Sequence, residues 1–334
     1  MPKRVKKRPP RRTRTMRRRT RAFPWLVAFT LLACAAVLID FVPRLRLSAP
    51  APREAAAILP PRPRPPPIFV QPREEEPAPP AAASLVSPRL PEAQPAWIRF
   101  AAPWPDTGAR PRIAIVIDDL GPDHARTERA IALPGAVTLS FLPYSDDLPQ
   151  LTELARRKGH ELLVHVPMEP RNEHIDMGPN GLALDQPRYE VLRRLRWDLD
   201  RFDGYVGINN HMGSRFTADP QAMGWVVAEL KSRGLMFLDS RTTPNSAGEA
   251  VAATEEIPYT ARDVFLDDDN RAPAVVARLK EAEGVARRTG TAVAIGHPHE
   301  ATLAALESWI AGLSREGIVL VPLTDIVKAR ARIE

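Results

Sequence analysis

From residue 112 to the end of the chain, short runs rich in β-branched and apolar residues alternate with longer amphipathic stretches. Some short runs are continuously apolar, such as IAIVI at 113–117, which is typical of strands covered on both faces. Repetition of strand then helix indicates an α/β fold with a parallel sheet. The predicted strands are 112–118, 137–143, 161–168, 205–210, 235–239, 263–267, 291–296 and 318–322, and the predicted helices are 124–133, 146–158, 187–201, 220–233, 271–288 and 300–314.

Two α/β architectures can accommodate this many strand–helix units. A distorted (β/α) barrel of seven or eight strands is one of them. An open, doubly wound sheet is the alternative, but no G-x-G-x-x-G motif follows the first strand and the chain has no P-loop. We therefore predict a (β/α) barrel domain for residues 107–334.

The basic excess of the chain lies in its first 22 residues. The whole chain has 47 Lys and Arg against 40 Asp and Glu, with a net charge of +7. Residues 1–22 contain twelve Lys and Arg and no acidic residue. Subtracting these twelve charges leaves −5 for residues 23–334, so the rest of the chain is mildly acidic.

An apolar segment directly follows the basic run. Residues 23–39 are seventeen uncharged residues, which just suffice for a bilayer-spanning helix. Positive charge before such a helix holds its start in the cytoplasm. We predict a basic cytoplasmic tail at 1–22 and a single transmembrane helix at 23–42 that anchors the protein in the inner membrane, with the main domain in the periplasm. Because an anchor explains the basic run better than a nucleic-acid-binding arm, we expect no nucleic-acid partner.

Two other interpretations use the same apolar segment. Ala33-Cys34-Ala35 offers a small-residue site for signal-peptide cleavage, and Leu32-Ala33-Cys34 loosely matches a lipidation site. Either would leave the apolar residues 36–39 on the mature side, so an uncleaved anchor is favoured. Cys34 is the only cysteine of the chain, which excludes an internal disulfide framework.

A proline-rich segment separates the predicted anchor from the domain. Eighteen prolines lie between residues 43 and 105. Such a sequence favours extended polyproline II conformation and acts as a semi-rigid spacer. We predict a disordered linker at 43–106 that holds the domain away from the membrane, with a ligand for a proline-binding module as the alternative.

Polar residues that can perform chemistry follow the ends of five predicted strands. In a parallel barrel these carboxyl ends open on one face, where catalytic groups lie, so residues distant in sequence would converge there. The residues are Asp118 and Asp119; His165 and Glu169; Asn209, Asn210, His211 and Ser214; Asp239 and Arg241; and His297 and His299.

Carboxylates and imidazoles dominate this set, and both suit Zn²⁺ and similar divalent ions. Adjacent side chains of a strand point to opposite faces, so Asp118 and Asp119 can share one site only where the strand ends and turns at Gly121. One carboxylate would then bind a metal while the other accepts a proton from water. The acidic run at 267–269 is interpreted instead as a solvated turn with a helix cap, in preference to a calcium site.

These motifs resemble the polysaccharide deacetylase superfamily, specifically its divergent branch. The resemblance covers about residues 112–327 and implies a distorted (β/α) barrel that removes N- or O-acetyl groups from sugars with the help of a metal. It rests on IVIDDLG at 115–121, GHELLVHVPME at 159–169, GINNHMGS at 207–214, FLDS at 237–240 and IGHPH at 295–299.

The resemblance also implies a metal-ligand set. The Asp-Asp pair of the family supplies a base and then a ligand, which map onto Asp118 and Asp119. Two histidines complete the ligands; the first aligns with His165, but the second position holds Glu169. We expect His211 to supply the third ligand to a divalent ion, foremost Zn²⁺, with Glu169 as the alternative.

The late histidine of the family protonates the leaving amine and maps onto His297, with His299 as a second candidate. Asp239 joins the predicted catalytic set. The remaining strand-end residues form the predicted substrate-binding set, which comprises Asn209, Asn210, Ser214 and Arg241.

Together these features predict a metal-dependent hydrolase that deacetylates an N- or O-acetylated envelope glycan, either peptidoglycan or another polysaccharide. The alternative is a catalytically inactive glycan-binding or scaffold protein of the envelope. It is motivated by Glu169 and by the absence of an Arg-Pro-Tyr block that is common in active deacetylases. The sequence indicates no particular protein partner.

Overall fold

The computed structural model describes residues 94–104 and 107–331, except for the side chain of Ser314. The strands are β1 (Arg112–Leu120), β2 (Thr138–Phe141), β3 (Glu161–Met168), β4 (Gly207–Met212), β5 (Met236–Asp239), β6 (Tyr259–Ala261), β7 (Val264–Phe265), β8 (Thr291–Gly296) and β9 (Val319–Leu320). The helices are α1 (Ala96–Arg99), α2 (His124–Ile131), α3 (Leu148–Arg157), α4 (Arg188–Leu199), α5 (Pro220–Arg233), α6 (Gly248–Glu255), α7 (Ala272–Thr289), α8 (Glu300–Gly312) and α9 (Leu323–Ala331), with 3₁₀ turns at Phe216–Ala218 and Leu313–Glu316.

The strands form one parallel sheet in the order β6-β5-β4-β3-β2-β1-β8-β7, with β9 paired to β1. β6 and β7 lie at opposite ends of this order although only Arg262 and Asp263 separate them in the chain. The segment 259–265 therefore pairs with β5 through its first half and with β8 through its second half. This parallel α/β architecture is consistent with the predicted distorted barrel.

The predicted strands and helices are all present, and each end agrees within two residues. The sequence did not reveal β6, α1, α6 or α9. β6 has only three residues, and α6 is a short alanine-rich helix without a clear apolar period, so neither gives a periodic signal.

Helix α1 lies in the segment that the sequence assigns to the linker. Trp97 of this helix is only 6% exposed and packs with apolar side chains of the sheet interior. Its backbone N–H donates to Gly234 O at 2.9 Å. The structure thus places residues 94–104 in the folded domain, because an aromatic side chain buries a large apolar surface there.

The predicted cytoplasmic tail, transmembrane anchor and linker up to residue 93 lie outside the described residues. Within residues 94–104 and 107–331, no helix has the length and apolar character needed to cross a bilayer. The predicted inner-membrane location therefore stays a prediction.

Two apolar layers follow from the alternation of side chains along each strand. In β1, Ile113, Ile115 and Ile117 pack in the layer between sheet and helices. Ala114 and Val116 belong to a second cluster on the opposite, inner face of the sheet. The inner residues of β1 are thus small, and the next inner position along the strand is 118.

A buried carboxylate ties this sheet to helix α9 and to the segment that follows α1. Glu161, at the start of β3, accepts hydrogen bonds from Thr324 N–H at 3.0 Å, Thr324 Oγ1 at 2.5 Å and Ala102 N–H at 3.3 Å. Thr324 lies in the first turn of α9, where orphan N–H groups favour a carboxylate.

We expect Glu161→Ala to lower the free energy of unfolding by about 2–4 kcal/mol, because it leaves buried donors without an acceptor. Urea denaturation of the variant measures this change. Glu153→Ala on the exposed face of α3 is the control and should shift the free energy by less than about 0.5 kcal/mol. Equal stability of the two variants would contradict the role of Glu161.

Candidate functional site

Inner-face positions at the carboxyl ends of the strands bring distant residues together. Beyond the inner apolar residues Leu163 in β3 and Val293 and Ile295 in β8, the next inner positions hold His165 and His297. The same alternation places five further polar side chains at this end of the sheet, namely Asp118, Ser140, Asn209, His211 and Ser240.

Asp119 reaches the same site through its backbone conformation. Its φ of 59° lies in the left-handed region, which non-glycine residues adopt rarely and often at functional sites. Asp119 Oδ1 lies 2.8 Å from His211 Nδ1 and 3.2 Å from His165 Nε2. These two nitrogens are 3.3 Å apart, so three potential ligand atoms converge on one point.

The surroundings of these atoms fit a metal ion. Asp119 Oδ1 is buried, and no group of the described chain forms a hydrogen bond of normal geometry with it. His165 Nδ1 lies 2.9 Å from Asn209 Oδ1, an acceptor, so Nδ1 carries a proton and Nε2 is the nitrogen that can bind a metal. Two imidazole nitrogens and one carboxylate oxygen are the donor set of a three-ligand zinc site with an open position.

Asn209 is the centre of the hydrogen bonds around this group. Its Nδ2 donates to Asp118 Oδ1 at 2.8 Å and Oδ2 at 3.0 Å. Its Oδ1 accepts from Ser140 Oγ at 2.5 Å and from the His165 ring. Asn209 is fully buried and its amide is used in these hydrogen bonds, so it can position Asp118 and His165, and the structure leaves it no free group for the substrate that the sequence predicts it to bind.

The two neighbouring aspartates have opposite pKa shifts. Burial raises the pKa of Asp118, and the charges of His165 and His297 and the Asn209 hydrogen bond only partly oppose it. Burial also acts on Asp119, but the imidazoles of His165 and His211 hold its pKa well below the ordinary value. Asp119 therefore stays ionised, which suits a metal ligand, whereas the raised pKa of Asp118 suits a carboxylate that accepts a proton.

His297 forms a dyad with a residue that the sequence did not indicate. Its Nδ1 lies 3.0 Å from Asp267 Oδ1, and its backbone N–H donates to Asp267 Oδ2 at 2.7 Å. Burial favours the neutral ring, but the Asp267 hydrogen bond and the charges of Asp118 and Asp119 outweigh it and raise the pKa of His297 to about 9. His297 is thus protonated at neutral pH.

The interpretation of 267–269 as a solvated turn is wrong for Asp267. Its side chain is fully buried, and it also accepts a hydrogen bond from Thr302 Oγ1 at 2.8 Å. Only Asp268 and Asp269 are solvent-facing, where they pair with Arg278 and Arg271. Two features of Asp267 are visible in the sequence: it is the last residue of the predicted strand 263–267, and it begins a polar cluster that runs to Asn270. Neither feature distinguishes it from Asp268 and Asp269.

Glu169, the alternative metal ligand, faces away from the ligand group. Its Oε1 pairs with Arg215 at 2.6 Å, and its Oε2 accepts from Leu184 N–H at 2.8 Å. Both carboxylate oxygens are therefore engaged, and the geometry favours His211 as the third ligand.

Several other predicted residues lie beside the site and not in it. Asp239 lies on the outer face of the sheet, like Phe237 two residues earlier in β5. Its carboxylate therefore faces Tyr259 in a neighbouring cavity. Ser214 accepts from Arg171 N–H at 2.9 Å at the rim. His299 precedes α8 with its ring 5.9 Å from that of His297, and together with Asp267 these rings form a second cluster of potential ligand atoms.

Asn210 and Arg241, the remaining predicted substrate-binding residues, have different positions. Asn210 lines the site, but its amide is used: Nδ2 donates to Met212 O, and Oδ1 accepts from Ser240 N–H. The exposed Arg241 lines the neighbouring cavity with Asp239.

The site opens into a cavity of about 320 Å³. Asp118, Asp119, His165, His211 and His297 line its floor, while apolar Phe265, Ile295 and Met212 form part of its wall. Arg262, which the sequence did not indicate, completes this wall, with its guanidinium stacked 4.9 Å from the centre of the Phe265 ring. Apolar walls around a few convergent polar groups are the usual form of a small-molecule site.

Comparison with known proteins gives consistent matches for the folded part. Residues 115–327 match the model of the family described as divergent polysaccharide deacetylase. An uncharacterized protein of Haemophilus influenzae is 34% identical over 219 residues, which are 65% of this chain and 77% of that protein. The uncharacterized protein YibQ of Escherichia coli K12 is 33% identical over 216 residues, or 65% and 67% of the two chains. The crystal structure of an uncharacterized protein from Agrobacterium tumefaciens C58 has a TM-score of 0.68 and 29% identity and covers 70% of this chain and 95% of its own.

Proposed function

We propose that this chain, which belongs to the divergent polysaccharide deacetylase family, is a metal-dependent deacetylase of an acetylated envelope glycan. The observation that carries this proposal is one cavity in which Asp118 and His297 flank the group of potential ligands formed by Asp119, His165 and His211. Peptidoglycan and similar N-acetylated polymers are the substrates we propose. The proposal includes an inner-membrane anchor at 23–42 and a periplasmic domain, which the basic and apolar runs support.

The residues of the cavity can share the steps of amide hydrolysis. A zinc ion held by Asp119, His165 and His211 would polarise the acetyl carbonyl and increase the acidity of water. Asp118, fixed by Asn209, takes a proton from the water that adds to the acetyl carbon. His297 donates its Nε2 proton to the leaving nitrogen as the carbon–nitrogen bond breaks, which yields acetate and a free amine.

Acetate release from defined N-acetylated glycans by the full-length, zinc-loaded chain tests this function. We expect release that is lost on chelation and restored by zinc. A zinc-loaded chain that binds a glycan and releases no acetate would contradict catalysis and support the inactive glycan-binding alternative, which the departure at Glu169 motivates.

The assignment of the third ligand can be tested separately. We expect His211→Gln to weaken zinc binding at least about 10–100-fold, the range for loss of a group that only orients a ligand, since it removes one of three ligands. Glu169→Gln is the matched control and should change zinc affinity by less than about threefold, because Arg215 and Leu184 occupy its carboxylate. Competition titration with a chromophoric chelator measures both affinities, and the reverse order would make Glu169 the ligand.

A further inference from the structure

A second cavity lies next to the candidate site. Its volume is about 510 Å³, and Asp239, Arg241, Ser246, Glu249 and Tyr259 are among the residues that line it. The side chain of Arg262 lines both cavities. The two cavities therefore border on the same guanidinium group.

The segment 240–243 forms the wall between the two cavities. Its side chains alternate: Ser240 and Thr242 line the first cavity, and Arg241 and Thr243 line the second. Within this segment Arg241 has a left-handed backbone, with a φ of 48°. Such a conformation persists only where the surroundings hold it.

Hydrogen bonds fix this wall in place. Arg262 Nε donates to Ser240 O at 2.7 Å, and its Nη2 donates to Arg241 O at 2.9 Å. Arg241 N–H donates to Asp239 Oδ1 at 2.7 Å, which also explains why the Asp239 carboxylate points into the second cavity. The second cavity is thus pre-organised from the same residues that border the first.

The lining of the second cavity suits a polyol. Asp239 and Glu249 offer carboxylate acceptors, Arg241 offers donors, and Ser246 and Tyr259 offer hydroxyl groups. Glu249 and Arg241 are mostly exposed and lie 3.9 Å apart, a distance too long for a strong pair, so both remain able to bind a ligand. Sugar hydroxyls both donate and accept and can satisfy such a mixed set.

We propose that the second cavity binds the sugar ring adjacent to the ring whose acetyl group enters the first cavity. The substrate is then an oligosaccharide or polysaccharide and not a single acetylated sugar. This inference rests on the proposed function for the identity of the first ring, but binding in the second cavity requires no catalysis.

The test compares the binding of N-acetylglucosamine and its linear pentamer by calorimetry, in an Asp118→Asn background that prevents turnover. We expect the full-length protein to bind the pentamer at least about tenfold more tightly than the monomer, since the second ring adds polar contacts. Arg241→Asn combined with Glu249→Gln should abolish this gain. Asparagine tolerates a positive φ, so the wall is retained.

Glu255→Gln on the same helix α6 is the matched control, since Glu255 pairs with Lys231 outside the cavity, and it should keep the full gain. If Arg241→Asn lowers the melting temperature, Glu249→Gln alone serves as the test. An unchanged pentamer-to-monomer ratio, or no binding of either sugar, would overturn the subsite. The two proposals can also fail separately. If the double variant loses its preference for the pentamer while the wild-type protein releases no acetate, the subsite is supported and the deacetylase function is refuted.

Discussion

Replacement of Asp118 by asparagine is expected to slow acetate release by at least about 10³-fold, within the range that general bases contribute. Asparagine has nearly the same shape and can still accept a hydrogen bond from Asn209, so the change removes the proton acceptor and little else. The measurement is the rate of acetate release at saturating glycan. Zinc content, determined on the same sample, should remain that of the wild type.

The variant Asp119→Asn is compared with Asp118→Asn to distinguish a metal ligand from a general base. Asp119 Oδ1 faces the two imidazole nitrogens, so this variant should lose zinc and activity together. Asp147→Asn, an exposed aspartate before α3, should leave both unchanged. If Asp118→Asn also lost its zinc, Asp118 would be a ligand and the proposed division of roles would be wrong.

The sequence predicts those site residues whose positions follow from the alternation of side chains along a strand. Asp118, His165 and His297 each follow an inner apolar residue of a strand, His211 follows the inner Asn209 of β4, and they meet because parallel strands end on one face. Glu169 holds the position of the second ligand histidine. Strand parity also predicts the replacement, because His211 lies on the same face of β4 as Asn209.

The remaining features depend on contacts that no periodic pattern encodes. Asp239 appears at a strand end like the others, but its parity directs it to the second cavity. Arg262 enters both cavities because the chain passes from β6 to β7 across the two ends of the sheet. Neither β6 nor β7 is long enough to show this split in the sequence.

A further large effect is expected at Asp267. Asp267→Asn should reduce kcat/KM by at least about 10²-fold at pH 8, because an amide no longer holds the protonated imidazole in its orientation. Asp267 contacts His297 through both carboxylate oxygens, and no other carboxylate of the described residues forms a hydrogen bond with that ring.

The pH profile distinguishes this role from a loss of stability. His297 acts as an acid only when protonated, so activity is present below its pKa of about 9 and falls as the pH rises through that value. Burial alone lowers the pKa of the ring, so removal of the Asp267 charge should move the alkaline limb of kcat/KM to lower pH by about one unit or more. Asp268→Asn changes an exposed neighbour that pairs with Arg278 and should leave the limb in place. An alkaline limb that stays near pH 9 in Asp267→Asn would show that His297 is not the acid that titrates there.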